Sequence, residues 1–168
     1  MYYHYLDTPI GRLLIAADEA GLRHIRFDDA RRDRDIGPDW RRGTTHLERA
    51  IEQLRAYFAG ERQDFDLALA AEGTPFRRSV WNELVNIPYG ETISYGELAR
   101  RIGDPAASRA VGAANGANPL PIVVPCHRVI GASGKLTGFG GGLPVKQWLL
   151  EHERGARQGS LIAPSLAR

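Results

Sequence analysis

The chain has 168 residues, of which 22 are Lys or Arg and 20 are Asp or Glu, so its formal net charge is only +2. This length fits one domain or two small ones, and a hydrophobic fraction of 43% suffices for a packed core. A single cysteine excludes an internal disulfide, and the sequence shows neither a secretory start nor an apolar run of about 18 residues. We therefore expect a cytoplasmic protein with no membrane partner.

Residues 1–60 predict a small α+β unit without any motif that indicates chemistry. Its strands are predicted at residues 2–6, 12–17 and 22–27, with Pro and Gly in the turns between them. The charged segment 28–43 is predicted to be a solvated loop. A helix is then predicted from Thr45, which forms a capping box with Glu48, to Gly60. Its apolar face is predicted to consist of Leu47, Ile51, Leu54 and Phe58.

A second unit begins near Thr74, the predicted N-cap of a helix whose first residue is Pro75. The apolar stripe of this helix is predicted to be Phe76, Val80 and Leu84. Beyond it, residues 94–119 predict two short helices joined by a turn at Gly103, which is the pattern of a helix-turn-helix. The predicted caps are Ser94 with Glu97 for the first helix, and Asp104 followed by Pro105 for the second.

The second helix of this motif consists almost entirely of small residues. It is predicted from Ala106 to Ala114, and Arg109 is its long side chain. A helix that reads base edges normally displays Arg, Asn or Gln, so small residues favour a close approach to DNA that ignores sequence. Two alternatives stay open: the alanines face the protein core, and Arg109 is a solvated surface arginine.

The stretch VVPCHRVIG, residues 123–131, contains the only cysteine. Residues 121–125 are β-branched and apolar, which predicts a buried strand that ends just before Cys126. Thiols react as thiolates, which nearby cationic groups stabilise, and His127 and Arg128 follow directly. Because neighbouring strand residues point to opposite faces, Cys126 and His127 can meet only if the backbone turns there, or through a water.

The last predicted helix, residues 143–153, supplies a carboxylate that can orient a histidine base. Glu153 shares a face with two leucines and lies near the predicted helix end, where negative charge is unfavourable, so it needs a partner such as His127. The alternative is a frayed and solvated glutamate. The five histidines lack the spacing of zinc ligands, so no metal or cofactor is expected. The glycine-rich segment 134–142 is predicted to be a mobile loop and not a phosphate-binding loop.

Together these elements predict an α+β protein. Residues 1–73 are expected to form an N-terminal α/β domain with an antiparallel three-stranded sheet and a helix. Residues 74–154 are expected to form a mainly helical C-terminal domain that carries the helix-turn-helix and the cysteine loop. Residues 155–168 are expected to be a flexible tail.

Residues 74–153 resemble the O6-alkylguanine-DNA alkyltransferase family in the order and spacing of several motifs. These are IPYGETISYGELA (87–99), SRAVGAANGANP (108–119), PCHRV (125–129) and the segment 134–153, which ends in VKQWLLEHE. Residues 1–73 resemble the variable N-terminal half of the family only in layout. The resemblance implies a DNA repair protein that flips O6-alkylguanine out of duplex DNA. It also implies that the alkyl group passes irreversibly to Cys126, once per molecule and without a cofactor.

The resemblance further implies roles for individual residues. His127 acts as a base through a water, Glu153 polarises it, and Asn118 ties the turn ahead of the cysteine to the cysteine segment. Tyr95 donates a proton to guanine N3 and crowds the target phosphate, while Arg109 fills the stack that the flipped base leaves. From the residues alone, Asn118 is equally a plain turn residue, and Tyr95 is equally a core residue.

A second set of residues is implied to contact the base and the DNA groove. The backbone of Val129 holds the guanine exocyclic amine, and the N–H of Gly140 reaches O6. The small residues expected at the DNA surface are Ala106, Ala110, Gly112 and Ala113. The sequence departs from the family pattern in this loop, where Gly140 replaces the serine of some relatives and Phe139 the tyrosine of many.

Two other classes of protein stay open from the residues alone. A DNA-binding regulator would use the cysteine to sense oxidants or alkylators. A cysteine hydrolase would use Cys126 and His127 on an ester or a peptide. Only an alkyltransferase would move an alkyl label from DNA to protein. Its expected partner is double-stranded DNA containing alkylated guanine; we expect a monomer, and clustering of copies on DNA stays open.

Overall fold

A computed structural model describes residues 1–28 and 36–161, with side chains up to residue 155. These residues divide into two compact units. The first combines Met1–Thr74 with Pro119–Val123, and the second combines Pro75–Asn118 with the chain from Val124 onward. The first unit contains a sheet and a helix and the second is mainly helical, so the predicted α+β class is confirmed.

The first unit is built on a sheet whose described strands follow the spatial order β3 (Gly21–Phe27), β2 (Gly11–Asp18), β1 (Tyr2–Thr8) and β4 (Arg41–Arg42). The predicted antiparallel meander is present as β1 (Tyr2–Thr8), β2 (Gly11–Asp18) and β3 (Gly21–Phe27). Gly11 and Gly21 have φ angles of 106° and 140°, which permit the two tight turns. The segment predicted as a loop over 28–43 contains a further strand, β4 (Arg41–Arg42), because the free edge of β1 offers it a parallel partner. Residues 29–35 of that segment lie outside the described residues.

The helix of the first unit, α1 (Glu48–Phe58), begins later than predicted. Its N-cap is Leu47 and no side chain caps it, so the predicted capping box of Thr45 and Glu48 is wrong. Leu47 is fully buried, which indicates that packing and not a hydroxyl group fixes the start of the helix. The buried residues of α1 are Ala50, Ile51, Gln53, Leu54 and Tyr57. The predicted face was therefore wrong in using Phe58 instead of its neighbour Tyr57.

The second unit contains most of the helices. They are α2 (Pro75–Leu84), α3 (Tyr95–Arg101), α4 (Ser108–Gly116) and α5 (Leu143–Leu161). Val80, Trp81 and Leu84 are buried on α2, whereas Phe76 of the predicted stripe is exposed. Trp81 Nε1 donates to the carbonyl of Ala114 at 2.8 Å, which joins α2 to α4.

The two helices α3 and α4 form the predicted helix-turn-helix, with Gly103 in the turn at a φ of 83°. Ser94 Oγ caps α3 by accepting from the backbone N–H of Glu97 at 3.1 Å. The Glu97 carboxylate accepts from Arg100 and Arg101, so it forms ion pairs at this end of the motif.

The second helix of the motif starts later than the sequence indicates. Its N-cap is Ala107 and it has no side-chain cap, so the predicted cap at Asp104 and helix start at Pro105 are wrong. The Ala107 N–H donates instead to the carbonyl of Asp104 at 3.0 Å, which forms a backbone turn between the helices. Ala106 consequently precedes the helix.

Residues 121–125 are buried as predicted, but they do not form the predicted strand. Ile122 has a φ of 77°, which is rare for a β-branched residue and places a turn in the middle of the run. Beyond this turn, β5 (Ile93–Ser94) and β6 (Val129–Ile130) pair in parallel. This pairing places the start of α3 beside the residues that follow the cysteine.

The last helix is longer than predicted. α5 continues to Leu161, so the predicted end at residue 153 is wrong, and the first part of the tail predicted for 155–168 is helical. Residues 162–168 lie outside the described residues. The change places Glu153 in the middle of the helix.

Candidate active site

Cys126 begins a short 3-10 helix, Cys126–Arg128. The Cys126 N–H donates to the carbonyl of Val124 at 2.8 Å, and the Arg128 N–H donates to that of Pro125 at 3.0 Å. Successive residues of a 3-10 helix follow each other around an axis and do not point to opposite faces. The backbone therefore turns at Cys126, which is the condition for a functional link between Cys126 and His127.

Two asparagines hold the backbone around the cysteine. Asn118 Nδ2 donates to the carbonyl of Val124 at 2.8 Å, and the Asn118 side chain also hydrogen-bonds the thiol. Asn118 thus bonds to the segment just before the cysteine. Asn115, on α4, donates from Nδ2 to the carbonyl of Cys126 at 3.3 Å.

The thiol of Cys126 is 5% exposed, and its burial raises its pKa from 9.0 to about 11. The hydrogen bond from Asn118 and the charge of Lys146 act in the opposite direction without reversing the shift. The resting residue is therefore a neutral thiol, and the expectation of a thiolate stabilised by its neighbours does not hold for the resting protein. A base must remove the proton.

His127 can act as that base. It is fully buried, and its Nε2 lies 2.7 Å from Glu153 Oε2. Burial lowers the pKa of His127, and the hydrogen bond to Glu153 opposes this only in part, so the ring is neutral at neutral pH. Because a carboxylate only accepts hydrogen bonds, the proton of the neutral ring is on Nε2 and Nδ1 carries a free lone pair. Nδ1 has no hydrogen-bond partner among the described residues.

Glu153 is a buried carboxylate in its ionised form. Burial alone would raise its pKa, but the hydrogen bonds and charges of His127 and Arg128 outweigh that effect and hold the pKa far below its usual 4.5. Arg128 donates from Nε to Oε1 at 2.8 Å and from Nη2 to Oε2 at 3.1 Å, a bidentate pair. Since Glu153 lies within α5, the argument from an unfavourable helix end does not apply to it. Its partners alone explain its burial.

Arg128 is held in turn by the segment that follows α2. Its Nη1 donates to the carbonyl of Ile87 at 2.7 Å, and its guanidinium lies 5.6 Å from the centre of the Tyr89 ring. The Gly90 N–H donates to Glu153 Oε1 at 3.4 Å. The IPYG segment thus supports the arginine and the carboxylate that orient the base.

Lys146 supplies a further buried cation. It is fully buried, and its Nζ donates to the carbonyl of Val129 at 2.6 Å and to that of Thr137 at 3.2 Å. Burial lowers the pKa of Lys146, while its interaction with Cys126 raises it. The ammonium therefore favours a negative charge on the sulfur when the proton leaves.

Tyr95 begins α3 and is half-buried. Its hydroxyl lies 2.6 Å from Thr137 Oγ1. A Cβ added to Gly112 would lie 3.7 Å from the Tyr95 ring, so the ring packs directly against the backbone of α4. The tyrosine therefore contacts the small-residue helix on one side and the glycine-rich loop on the other.

The small-residue helix α4 has a buried face and an exposed face, and its alanines lie on both. Its buried residues are Val111, Ala114 and Asn115. Its exposed residues are Arg109, Ala110, Ala113 and Gly116. The outer face thus combines small residues with a single arginine, as a close approach to a groove requires. Ala106 is also exposed, but it lies before the helix.

The remaining predicted base contacts lie on β6 and in the glycine-rich loop. Val129 is fully buried, Phe139 is half-buried and Gly140 is exposed. A Cβ added to Gly140 would meet nothing within 4 Å, so the serine of some relatives would fit there. Residues 131–142 contain no helix or strand, which includes the segment 134–142 that was predicted to be a loop.

The structure adds residues to the site that the sequence analysis did not single out. They are Asn115, Thr137 and Lys146, together with the pairing of Arg128 to Glu153. Lys and Arg are almost never buried, so residue type argued against Lys146 and Arg128. A usable signal existed for the lysine, because Lys146 precedes Glu153 by seven residues and therefore shares its helix face. The pairing of Arg128 depends on the 3-10 turn, which the pattern did not predict.

The described residues contain no cluster of three or more His, Cys, Asp or Glu side chains that could hold a metal ion. None of their helices is both long and apolar enough to span a membrane.

The sequence matches two parts of one known family. Residues 75–155 match the 6-O-methylguanine DNA methyltransferase DNA-binding domain, and residues 1–71 match the ribonuclease-like domain of the same family. The chain is 52% identical over 153 residues to the methylated-DNA–protein-cysteine methyltransferase of Methanosarcina acetivorans, covering 91% of this chain and 98% of the relative. It is 53% identical over 152 residues to the protein of the same name from Mycolicibacterium paratuberculosis, covering 90% and 92%.

The fold is similar to that of a solved relative. A crystal structure of Mycobacterium tuberculosis OGT in complex with DNA superposes with a TM-score of 0.86 at 49% identity, covering 93% of this chain and 94% of that one. This chain thus contains a helix-turn-helix, a buried cysteine and a His–Glu pair, and it matches both domains of the family. The chain belongs to the 6-O-methylguanine DNA methyltransferase family.

Proposed function

We propose that this protein repairs DNA by moving the alkyl group of O6-alkylguanine onto Cys126, once per molecule. Family membership makes alkyl transfer its activity, and the relatives named above carry that activity in their names. The observation that carries the assignment to these residues is the neutral, buried His127 beside Cys126, with Nε2 bonded to the Glu153 carboxylate. That arrangement leaves a base next to a thiol that needs one.

The chemistry proceeds as a displacement at carbon. His127 Nδ1 accepts the thiol proton through a water, and Glu153 stabilises the imidazolium that forms. The sulfur of Cys126 then attacks the alkyl carbon in line with the bond to O6; a C–S bond forms and the C–O bond breaks. The electron pair of the broken bond passes to the guanine. The hydroxyl of Tyr95 donates to N3 and offsets the negative charge that develops there.

Access to the alkyl group requires the base to leave the duplex, because O6 of a paired guanine is not reachable by a buried sulfur. The exposed face of α4, with Ala110 and Ala113, is the surface that enters the groove, and Ala106 and Gly112 support the close approach. Arg109, the exposed arginine of that face, occupies the gap in the stack. The flipped guanine is held by the backbone of Val129 and by the loop at Phe139 and Gly140.

The reaction inactivates the protein irreversibly. A thioether has no bond that water or His127 can cleave, and the chain has no second cysteine to accept the group. The partner is double-stranded DNA containing alkylated guanine, and a monomer carries the complete set of residues. Residues 74–154 form the DNA-binding and transfer domain and residues 1–73 the N-terminal domain, a division supported by the two family matches.

The intact mass of the protein after exposure to O6-methylguanine duplex tests this proposal. A gain of one methyl group, located on the peptide that contains Cys126, is expected. A reversible gain of oxygen without methyl transfer would support the redox-sensing regulator, and turnover of an ester or peptide would support the hydrolase.

A further inference from the structure

Thr137 connects the tyrosine of the helix-turn-helix with the buried lysine next to the cysteine segment. Its Oγ1 lies 2.6 Å from the Tyr95 hydroxyl, and its carbonyl accepts from Lys146 Nζ at 3.2 Å. The same ammonium donates to the carbonyl of Val129 at 2.6 Å. Thr137 therefore joins α3 to α5, and Lys146 extends the link to β6.

Lys146 helps to hold the backbone of Thr137. A buried ammonium must keep its hydrogen bonds, because an unmet donor in the interior is costly, so the Thr137 carbonyl is held in place. The neighbouring Gly138 and Gly140 give little support of their own, since a Cβ at either position would meet nothing within 4 Å. The bond from Lys146 thus adds to the loop's own backbone hydrogen bonds in holding Thr137 near the tyrosine.

We infer that Thr137 is a positioning residue for alkyl transfer, an inference that rests on the proposed donation from Tyr95 to guanine N3. A phenol hydroxyl has one proton to donate and lone pairs with which to accept. When Thr137 donates to the Tyr95 oxygen, the tyrosine proton is directed to an outside acceptor, which is N3 of the flipped base. The accepted bond also polarises the phenol and strengthens it as a donor. Thr137 itself contacts no reacting atom.

A double-mutant cycle between the two residues tests this inference. Thr137→Val removes the hydroxyl with little change of shape, Thr137→Ser keeps a hydroxyl, and Tyr95→Phe removes the other partner. The rate constant of methyl transfer from an O6-methylguanine duplex is measured with protein in excess. Affinity for the unmodified duplex is measured separately. Ser133→Ala, an exposed change in the same loop, is the control.

The inference predicts that Thr137→Val slows transfer about 3- to 10-fold, the range that corresponds to one hydrogen bond, without weakening duplex binding. Thr137→Ser is expected within about twofold of wild type, and Thr137→Val is expected to cause no further loss in the Tyr95→Phe background. Thermal unfolding shows whether the valine is tolerated. If it is not, Thr137→Ala replaces it as a hydroxyl-free variant with no added bulk.

Three results would overturn the inference: equal slowing by Thr137→Val with and without the tyrosine hydroxyl, a serine variant as slow as the valine variant, or a parallel loss of duplex affinity. A wild-type protein that accepts no methyl group would overturn the proposed function itself. An active wild type with no coupling between the two residues would overturn the role of Thr137 alone.

Discussion

His127 Nε2 and Glu153 Oε2 lie 2.7 Å apart, and both side chains are fully buried. The bidentate contact of Arg128 keeps the carboxylate ionised, so the carboxylate fixes the proton of the neutral imidazole on Nε2. The other ring nitrogen is left with a free lone pair, in the residue that follows a cysteine whose thiol is protonated at rest.

Replacement of the cysteine should separate chemistry from binding. Cys126→Ser is expected to abolish alkyl transfer and to leave affinity for duplex DNA within about twofold of wild type, because the proposed DNA contact is the exposed face of α4 and not the buried sulfur. Transfer of radiolabel and a gel-shift titration measure the two properties. Labelling of the serine variant at the wild-type rate would show that another residue accepts the group.

Loss of the buried carboxylate should cost both stability and rate. Glu153→Gln leaves Arg128 buried without its counter-charge, so we expect unfolding by denaturant to become easier by about 3 kcal/mol. Transfer is expected to slow by about 10² because the amide cannot stabilise an imidazolium. Glu151→Gln, an exposed change on a different face of α5, is the control. It should shift the free energy of unfolding by less than about 0.5 kcal/mol. Equal effects of the two changes would contradict the assigned pairing.

The pH dependence of transfer follows from the two shifted pKa values. Burial lowers the pKa of His127 below 6.5 and raises that of the Cys126 thiol to about 11. The reactive form holds a neutral imidazole and a thiol, so the rate constant should be flat from about pH 7 to about pH 10, and acid loss should set in only at a pH lower than the ordinary histidine value of 6.5. Rapid-quench measurements across this range test the profile. A rise centred near the ordinary thiol value of 9.0 would instead show a thiol that ionises without the histidine.

The arginine on the outer face of α4 should matter only when a base must leave the stack. Arg109→Ala is expected to slow repair of duplex DNA by at least about tenfold and to leave reaction with the free alkylated base nearly unchanged. The reason is that the arginine side chain is proposed to fill the gap that the flipped base leaves in the stack. Arg55→Ala removes an exposed charge from α1 and serves as the control. Equal losses on the two substrates would contradict the role in base flipping.

The local sequence pattern was sufficient to predict those helices and strands in which backbone preference and burial favour the same structure. The three strands of the first sheet are present because short apolar runs and glycine turns favour the same conformation that the core requires. The predicted caps at Thr45 and Asp104 failed because burial of Leu47 and a backbone turn determine those helix starts. Apolar β-branched residues at 121–125 likewise predicted a strand, but the chain turns at Ile122, whose φ is 77°.

The candidate site could be predicted only in part from the sequence. The family resemblance placed Cys126, His127 and Glu153 together, and the structure shows the contact between His127 and Glu153. Arg128 and Lys146 became visible only in three dimensions, because a buried cation is defined by its partners and these are distant in sequence. Thr137 was unremarkable in a glycine-rich loop until its contact with Tyr95 was known.

The stoichiometry of transfer tests the central claim most directly. Protein is incubated with a large excess of O6-methylguanine duplex, and the methyl groups bound per protein molecule are counted over time while Cys126 is mapped by peptide mass. The account predicts a plateau at about one methyl group per molecule, all of it on Cys126, and no activity after the plateau, as a single nucleophile that forms a thioether requires. Continued turnover beyond one equivalent, or methyl groups on another residue, would contradict it.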